Sequence, residues 1–115
     1  MFLSTVQGRY WVELSEQVTA DWEGLRMHHA VARYFRRSVE DRRVRPPGSL
    51  AEARFFSLRN RNADPVSTAM MVPGRIEIGV GRSNASPFPQ FKEDYEILAK
   101  RLRVSFNTTC YPYGR

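Results

Sequence analysis

The chain is poor in cysteine, histidine and long apolar runs, and each shortage excludes a class of protein. Cys110 is the single cysteine, so no intramolecular disulfide forms. The whole chain has only two histidines, so a structural zinc site would need unusual ligands. No apolar run approaches the roughly 20 residues of a transmembrane helix, and the N-terminal residues have neither a basic leader nor a cleavage pattern. We therefore expect a cytoplasmic protein without membrane attachment, metal or cofactor.

The composition is otherwise that of a small globular protein with an excess of arginine. Its 115 residues, 42% hydrophobic and 26% charged, predict one domain over 1–115, with a core over about 9–103 and a tail over 104–115. The net charge is +6, and Lys92 and Lys100 are the only lysines. Because arginine suits bidentate contacts with phosphate and carboxylate, this charge predicts nucleic acid or an acidic host protein surface as partner, or else a solvated basic surface.

Four segments have the alternation of β-strands. Residues 2–14 contain many β-formers with a bend at Gly8, which predicts an edge strand or a hairpin. Three further segments follow one another between short turns, and they predict a three-stranded antiparallel meander: Ala53–Asn60, Val66–Val72 and "RIEIGVG" from Arg75.

Two segments predict amphipathic helices. The first contains "GLRMHHAVARY" from Gly24 and ends near Arg45, because Pro46 and Pro47 cannot continue it. Its two faces have different compositions: Met27, Val31, Tyr34, Phe35, Ser38 and Val39 on one, His29, Arg33, Arg36 and Glu40 on the other.

The second predicted helix, "FKEDYEILAKRL", has Glu93 and Asp94 in its first turns, where they complement the helix dipole. Its apolar face consists of Phe91, Tyr95, Leu98 and Leu102. Both helices cover the same face of the sheet in this prediction. The expected fold is therefore α+β in two layers: a three-stranded antiparallel meander plus an N-terminal strand or hairpin, packed against two amphipathic helices.

Four short motifs occur in a characteristic order: "EGLRMHHAVARY", "FFSLRN", "VSTAMM" and "GVGRSN". This order resembles the PcfJ-like proteins of conjugative plasmids and phages, whose helix contains E-G-x-x-M-x-H-C-V-x-x-Y and whose strands carry S-x-R, T-x-E and Q-x-x-G-x-x-N. The resemblance covers residues 22–103 and implies a phage or mobile-element setting. The matching residues are Glu23, Gly24, Met27, His29, Tyr34, Ser57, Arg59, Thr68, Gly81 and Asn84.

The chain departs from this family pattern at three polar positions. Ala30 stands where the family has cysteine, Met70 where it has glutamate and Ile78 where it has glutamine. If the polar set is a catalytic cluster, this chain lacks its thiolate, and alanine cannot replace a nucleophile. The departures favour a non-catalytic version of the domain.

The remaining polar residues allow an enzymatic and a structural interpretation. In the first, His29 is a general acid or base and Arg59 orients an anionic group of the substrate. In the second, His28 is a hydrogen-bonded residue at the edge of the core and His29 faces solvent. Similar structural roles exist for the other motif residues: Ser57 as a small inward residue, Arg59 paired with an acid, Gly81 at a positive φ and Asn84 as a loop cap.

A group of arginines is the other candidate site. These arginines belong to the end of the first predicted helix and to the hairpin that follows it: Arg33, Arg36, Arg37, Arg42, Arg43 and Arg45 on the helix, with Arg54, Arg59 and Arg61 on the hairpin. Together they would line one groove for a phosphate backbone, unless Glu40, Asp41 and Glu52 neutralise them. Exposed aromatic rings would add stacking surfaces, and the candidates are Tyr10, Trp11 and Phe56.

The sequence thus leaves three functions open. The leading one is a small basic accessory protein of a phage or mobile element that binds nucleic acid or a host protein, as an inhibitor of a defence system in the latter case. The second is an enzyme that uses His29 and Arg59. The third is an assembly module that forms a homodimer through the strand edge at residues 2–14.

Overall fold

A computed structural model describes residues 2–27, 30–78 and 88–105. It contains five strands and three helices: β1 Phe2–Ser4, β2 Tyr10–Leu14, α1 Gln17–Met27, α2 Val31–Arg43, β3 Arg54–Arg59, β4 Pro65–Val72, β5 Arg75–Ile78 and α3 Phe88–Leu102. The α+β class is confirmed.

The five strands form one antiparallel sheet in the order β1-β2-β3-β4-β5. The predicted meander is present as β3 to β5, and the N-terminal segment is a hairpin whose second strand pairs with β3, Trp11 opposite Leu58. The prediction was incomplete here, because the hairpin extends the same sheet to five strands. The three-residue β1 is one edge, and β5 is the other, where Arg75 makes an isolated bridge to Ser105.

Helices cover both faces of this sheet, so the predicted two-layer arrangement is wrong. Neighbouring side chains of a strand point to opposite faces. Phe55 accordingly packs in a cluster with Val31 and Phe35 of α2, whereas Phe56 packs with Tyr95 of α3. The molecule has three layers, with α1 and α2 on one face and α3 on the other.

The single helix predicted around the histidines corresponds to the end of α1 and all of α2. α1 begins at Gln17, ahead of the predicted start, and Ala30 is the N-cap of α2. The predicted apolar face of α2 is confirmed, since Val31, Phe35 and Ser38 are buried. α2 ends at Arg43, just before the predicted end.

α3 is fixed to the first hairpin through Asp94, which is fully buried. Its carboxylate accepts hydrogen bonds from Arg9 Nη2 at 2.9 Å, Arg9 Nε at 3.2 Å and Thr5 Oγ1, and its carbonyl accepts one from Trp11 Nε1 at 2.9 Å. The predicted role of Asp94 in the helix dipole was therefore wrong, because α3 begins at Phe88 and Asp94 is an internal anchor. The predicted apolar face of α3 is confirmed by the burial of Tyr95 and Leu98.

Candidate functional site

The polarity of α1 is inverted relative to an ordinary surface helix. Its buried side chains are Ala20 and Glu23, so a carboxylate faces the sheet. Its exposed side chains include Val18, Trp22 and Leu25, at a spacing of four and three residues along one face. A helix of this kind normally buries its apolar stripe and exposes its charges. Departures from that rule are concentrated at functional sites.

Glu23 lies beneath α1 against β3 and β4, where its side chain is fully buried. Thr68 Oγ1 of β4 donates a hydrogen bond to Glu23 Oε2 at 2.5 Å. Arg59 Nη2 of β3 lies 3.8 Å from Glu23 Oε1, which accepts no hydrogen bond from the described residues. Arg59 Nε in turn donates to Ser57 Oγ at 3.1 Å.

Burial raises the pKa of Glu23 above its usual value, because removal from water penalises the charged carboxylate. The hydrogen bond from Thr68, the nearby Ser57 hydroxyl and the charge of Arg59 lower the pKa of Glu23, but burial outweighs them. The cluster therefore contains a carboxyl group that ionises less readily than one in water, beside a guanidinium group. Glu23 is closed to solvent, and the charged group that it faces is Arg59.

The fold brings together four residues that come from three of the sequence motifs, namely Glu23, Ser57, Arg59 and Thr68. Met70 follows Thr68 on the same face of β4 and is buried in the apolar cluster beneath α2, so the polar cluster stops at Thr68. Four motif residues, His28, His29, Gly81 and Asn84, lie outside the described residues.

The other motif positions have structural surroundings. Gly24 is half-buried on α1, and Tyr34 packs against the apolar cluster of α1 and α2. Ala30 precedes α2, and Ile78 pairs with Ala69 at the end of β5.

Above the buried cluster, Trp22 projects from α1 with 41% of its surface exposed. The guanidinium carbons of Arg59 and Arg26 lie over its ring, 5.2 and 5.4 Å from the ring centroid. Arg26 also forms an exposed ion pair with Asp64, with Nη2 and Oδ1 2.8 Å apart. A cavity of about 410 Å³, wide open to solvent, adjoins the ring and is lined by Val18, Thr19, Trp22 and Arg59.

Sequence reasoning missed Trp22, and the available signal was misleading. Apolar residues at positions 18, 22 and 25 have the spacing of a core face, and an acidic residue at 23 would ordinarily face solvent. The aromatic residues proposed for stacking are unsuitable, because Trp11 and Phe56 are fully buried and Tyr10 is half-buried.

The arginines of α2 lie on its outward face, as predicted. Arg33, Arg36 and Arg43 are exposed and form no ion pair with any acidic side chain among the described residues. Arg37 lies 3.6 Å from Asp41, measured from Nε to Oδ1, so the predicted partial neutralisation is present. Asp41 is mainly engaged elsewhere, because its Oδ2 accepts a hydrogen bond from the Leu50 backbone N–H at 2.9 Å.

The remaining arginines do not extend this face, although Arg42 and Arg54 line one pocket between α2 and β3. Arg42 reaches the Ala51 carbonyl just before β3, at 3.5 Å, and Arg45 donates to the Arg42 and Val44 carbonyls. Arg61 follows the other end of β3, a strand that spans about 17 Å from Arg54 to Arg59. The Arg61 side chain packs over Gly8. Arg54 is held by Glu13 in a bidentate pair.

Within the described parts of the chain, no group of three or more histidine, cysteine, aspartate and glutamate side chains could hold a metal ion. None of the described helices is long and apolar enough to cross a membrane. Comparison with models of protein families, with curated proteins and with solved structures finds no match to this chain.

Proposed function

We propose that this chain is a small basic nucleic-acid-binding protein in which the outward face of α2 contacts the phosphate backbone. The observation that carries the proposal is the set of exposed arginines on this helix without acidic partners among the described residues, Arg33, Arg36 and Arg43. Their charges are available to phosphate. Replacement of condensed counterions by such side chains is a major source of affinity for nucleic acid.

The dimensions of the face fit this use. Arg33 and Arg43 are ten residues apart, which corresponds to about 15 Å along a helix that rises 1.5 Å per residue. Arg36 and Arg37 lie between them, and Glu40 is the one acidic side chain among the exposed residues of α2. The face therefore presents several guanidinium groups over the length of a few nucleotides.

Three acidic residues that face other parts of the molecule are unavailable to the arginines of α2. Asp94 binds Arg9, Glu13 binds Arg54 and Glu23 is buried. α2 itself carries five of the 18 basic residues, all of them exposed, whereas the longer α3 carries three. This uneven distribution of positive charge supports a binding surface on α2 over a basic surface that serves only for solvation.

The motif resemblance adds a setting to this proposal. Glu23, Ser57, Arg59 and Thr68 match motif residues of the PcfJ-like proteins and lie in one cluster, which supports a degenerate domain of that type from a phage or mobile element. Burial of Met70 in the apolar core, where that family has glutamate, favours binding over catalysis.

The test is a titration of duplex and single-stranded oligonucleotides at two salt concentrations with the variant Arg33→Ala/Arg36→Ala/Arg37→Ala. The matched control is Lys92→Ala/Lys100→Ala/Arg101→Ala, which removes three exposed cations from α3 on the other side of the sheet. We expect wild-type binding to weaken steeply with salt. The α2 variant should lose most of the affinity, and its salt slope for duplex should fall by about 2 to 3.

Equal losses in the two variants would refute the assignment to α2, because they would indicate only a general effect of charge. Absence of binding by the wild type at low salt would refute the function itself. Capture of a nuclease-resistant protein by the same arginines would then indicate the host-protein alternative.

A further inference from the structure

We propose that the cavity beside Trp22 binds one base of a single-stranded nucleic acid, with the neighbouring guanidinium groups contacting its phosphate. This inference rests on the proposed function, which it deepens by naming the form of nucleic acid. The juxtaposition that carries it is an exposed tryptophan ring, a cavity of about 410 Å³ and two arginines at the ring.

The cavity has the size and the lining of a site for one planar group. Its volume lies within the roughly 300 to 1,000 Å³ of small-ligand sites, and its wide opening to solvent leaves room for the adjoining nucleotides. Val18 and the Trp22 ring supply apolar surface, while Thr19 and Arg59 supply polar atoms. A base needs this combination, because it has apolar faces and a polar edge.

Arg59 is held in place for such a ligand. Its Nε donates to Ser57 Oγ, and its Nη2 lies 3.8 Å from the buried Glu23 carboxylate. The guanidinium group is therefore fixed at the wall of the cavity before any ligand arrives. A group fixed in this way loses little conformational entropy on binding.

Arg26, in contrast, can exchange partners. Its ion pair with Asp64 has about half of each side chain exposed, and exposed pairs of this kind contribute little stability. A phosphate group can replace the Asp64 carboxylate at Arg26, and the guanidinium group then leaves the ring face to the base. Asp64 is thus a competitor for the bound strand.

The surroundings favour nucleic acid over an apolar protein segment. The exposed stripe of Val18, Trp22 and Leu25 alone would suit either partner. Two guanidinium groups lie at Trp22, and the arginine face of α2 lies in the same layer, because α2 packs beside α1. This concentration of positive charge favours a ligand that carries a negative charge at every residue. Phosphate backbones have this property.

A duplex cannot use the cavity, because its bases are stacked and paired. Single strands, in contrast, are bound by proteins that combine a basic groove with aromatic platforms. The cavity should therefore distinguish the two forms, whereas the arginines of α2 bind both.

Tryptophan fluorescence reports on this site directly, because Trp11 is fully buried and Trp22 is exposed. Oligothymidylate of about ten nucleotides, within the range of known single-strand sites, should quench the emission of the wild type. Trp22→Ala should weaken binding of this oligonucleotide at least about fivefold, which is the low end for one stacking contact. Its affinity for duplex should stay unchanged, and Trp22→Phe should retain part of the single-strand affinity.

Two further variants separate this site from a general effect. Leu25→Ala removes an exposed neighbour that does not line the cavity and should bind like the wild type. Asp64→Asn should bind the single strand more tightly than Glu96→Gln, which removes the same charge from an exposed position on α3.

The inference is overturned if Trp22→Ala binds the single strand as the wild type does, or if Trp22→Ala and Leu25→Ala lose affinity equally. If the α2 variant still loses binding in either case, the proposed function stands without this site. A wild type that binds neither form of nucleic acid but does bind an acidic peptide would overturn both proposals.

Discussion

Replacing Glu23 by glutamine should change how the stability of the protein depends on pH. Burial raises the pKa of Glu23 in the folded state, while the unfolded chain keeps the ordinary value of 4.5. Between these two pKa values the folded state retains a proton that the unfolded chain has lost. The free energy of unfolding of the wild type therefore falls as the pH rises through this window.

The size of this effect follows from one proton. A single group changes the free energy of unfolding by at most about 1.4 kcal/mol per pH unit, so the interval from pH 5 to pH 7 contributes at most about 2.7 kcal/mol. Glutamine has nearly the same shape and can still accept the hydrogen bond from Thr68, but it does not ionise. The stability of Glu23→Gln relative to the wild type should therefore increase with pH.

The measurement is urea unfolding of both proteins, followed by circular dichroism at intervals from pH 4.5 to pH 7.5. Taking the difference between the proteins cancels the titration of groups they share, including His28 and His29. Glu93→Gln on the exposed surface of α3 is the control and should show no such trend. Parallel stability curves for the wild type and Glu23→Gln would refute the assignment of a raised pKa to the buried carboxylate.

Two other substitutions test the packing that holds the layers together. Asp94→Asn leaves Arg9 without its buried charge partner and should lower the free energy of unfolding by about 3 kcal/mol. Glu96→Gln on the same helix is the control and should change the free energy of unfolding little. Equal urea midpoints for the two variants would contradict this prediction. Gly48→Ala would place a Cβ 2.7 Å from Asp41 Oδ2 and nearer still to its Cγ, so the carboxylate must move and stability should fall by about 1 to 3 kcal/mol. An unchanged melting temperature of Gly48→Ala would show that Asp41 is not fixed.

The strands and the apolar faces of α2 and α3 could be predicted because their residues follow a simple periodicity. The layers could not be predicted from the same patterns. In β3, Phe55 and Phe56 are adjacent and both buried, which requires cover on both faces of the sheet. The two-layer interpretation overlooked this pair, and the two helices between β2 and β3 in the sequence hid the pairing of those strands.

The motif order singled out four polar residues that the fold brings together, whereas the exposed tryptophan was not selected. The order of the motifs selected Glu23, Ser57, Arg59 and Thr68, and the fold brings them into one cluster. Trp22 could not be selected, because nothing in a local pattern reveals that the acidic residue beside it turns inward. That orientation depends on partners from β3 and β4, which are distant in the sequence.

The two helical layers have different physical roles. The layer of α3 is joined to the sheet through Trp11, Tyr95 and the buried pair of Asp94 and Arg9. The layer of α1 and α2 contains the buried carboxylate, the exposed tryptophan and the outward arginines. Since Asp94 lies on the far side of the sheet from those groups, Asp94→Asn should bind nucleic acid like the wild type at temperatures where it remains folded. Loss of binding by the folded variant would mean that the two layers are coupled through the sheet.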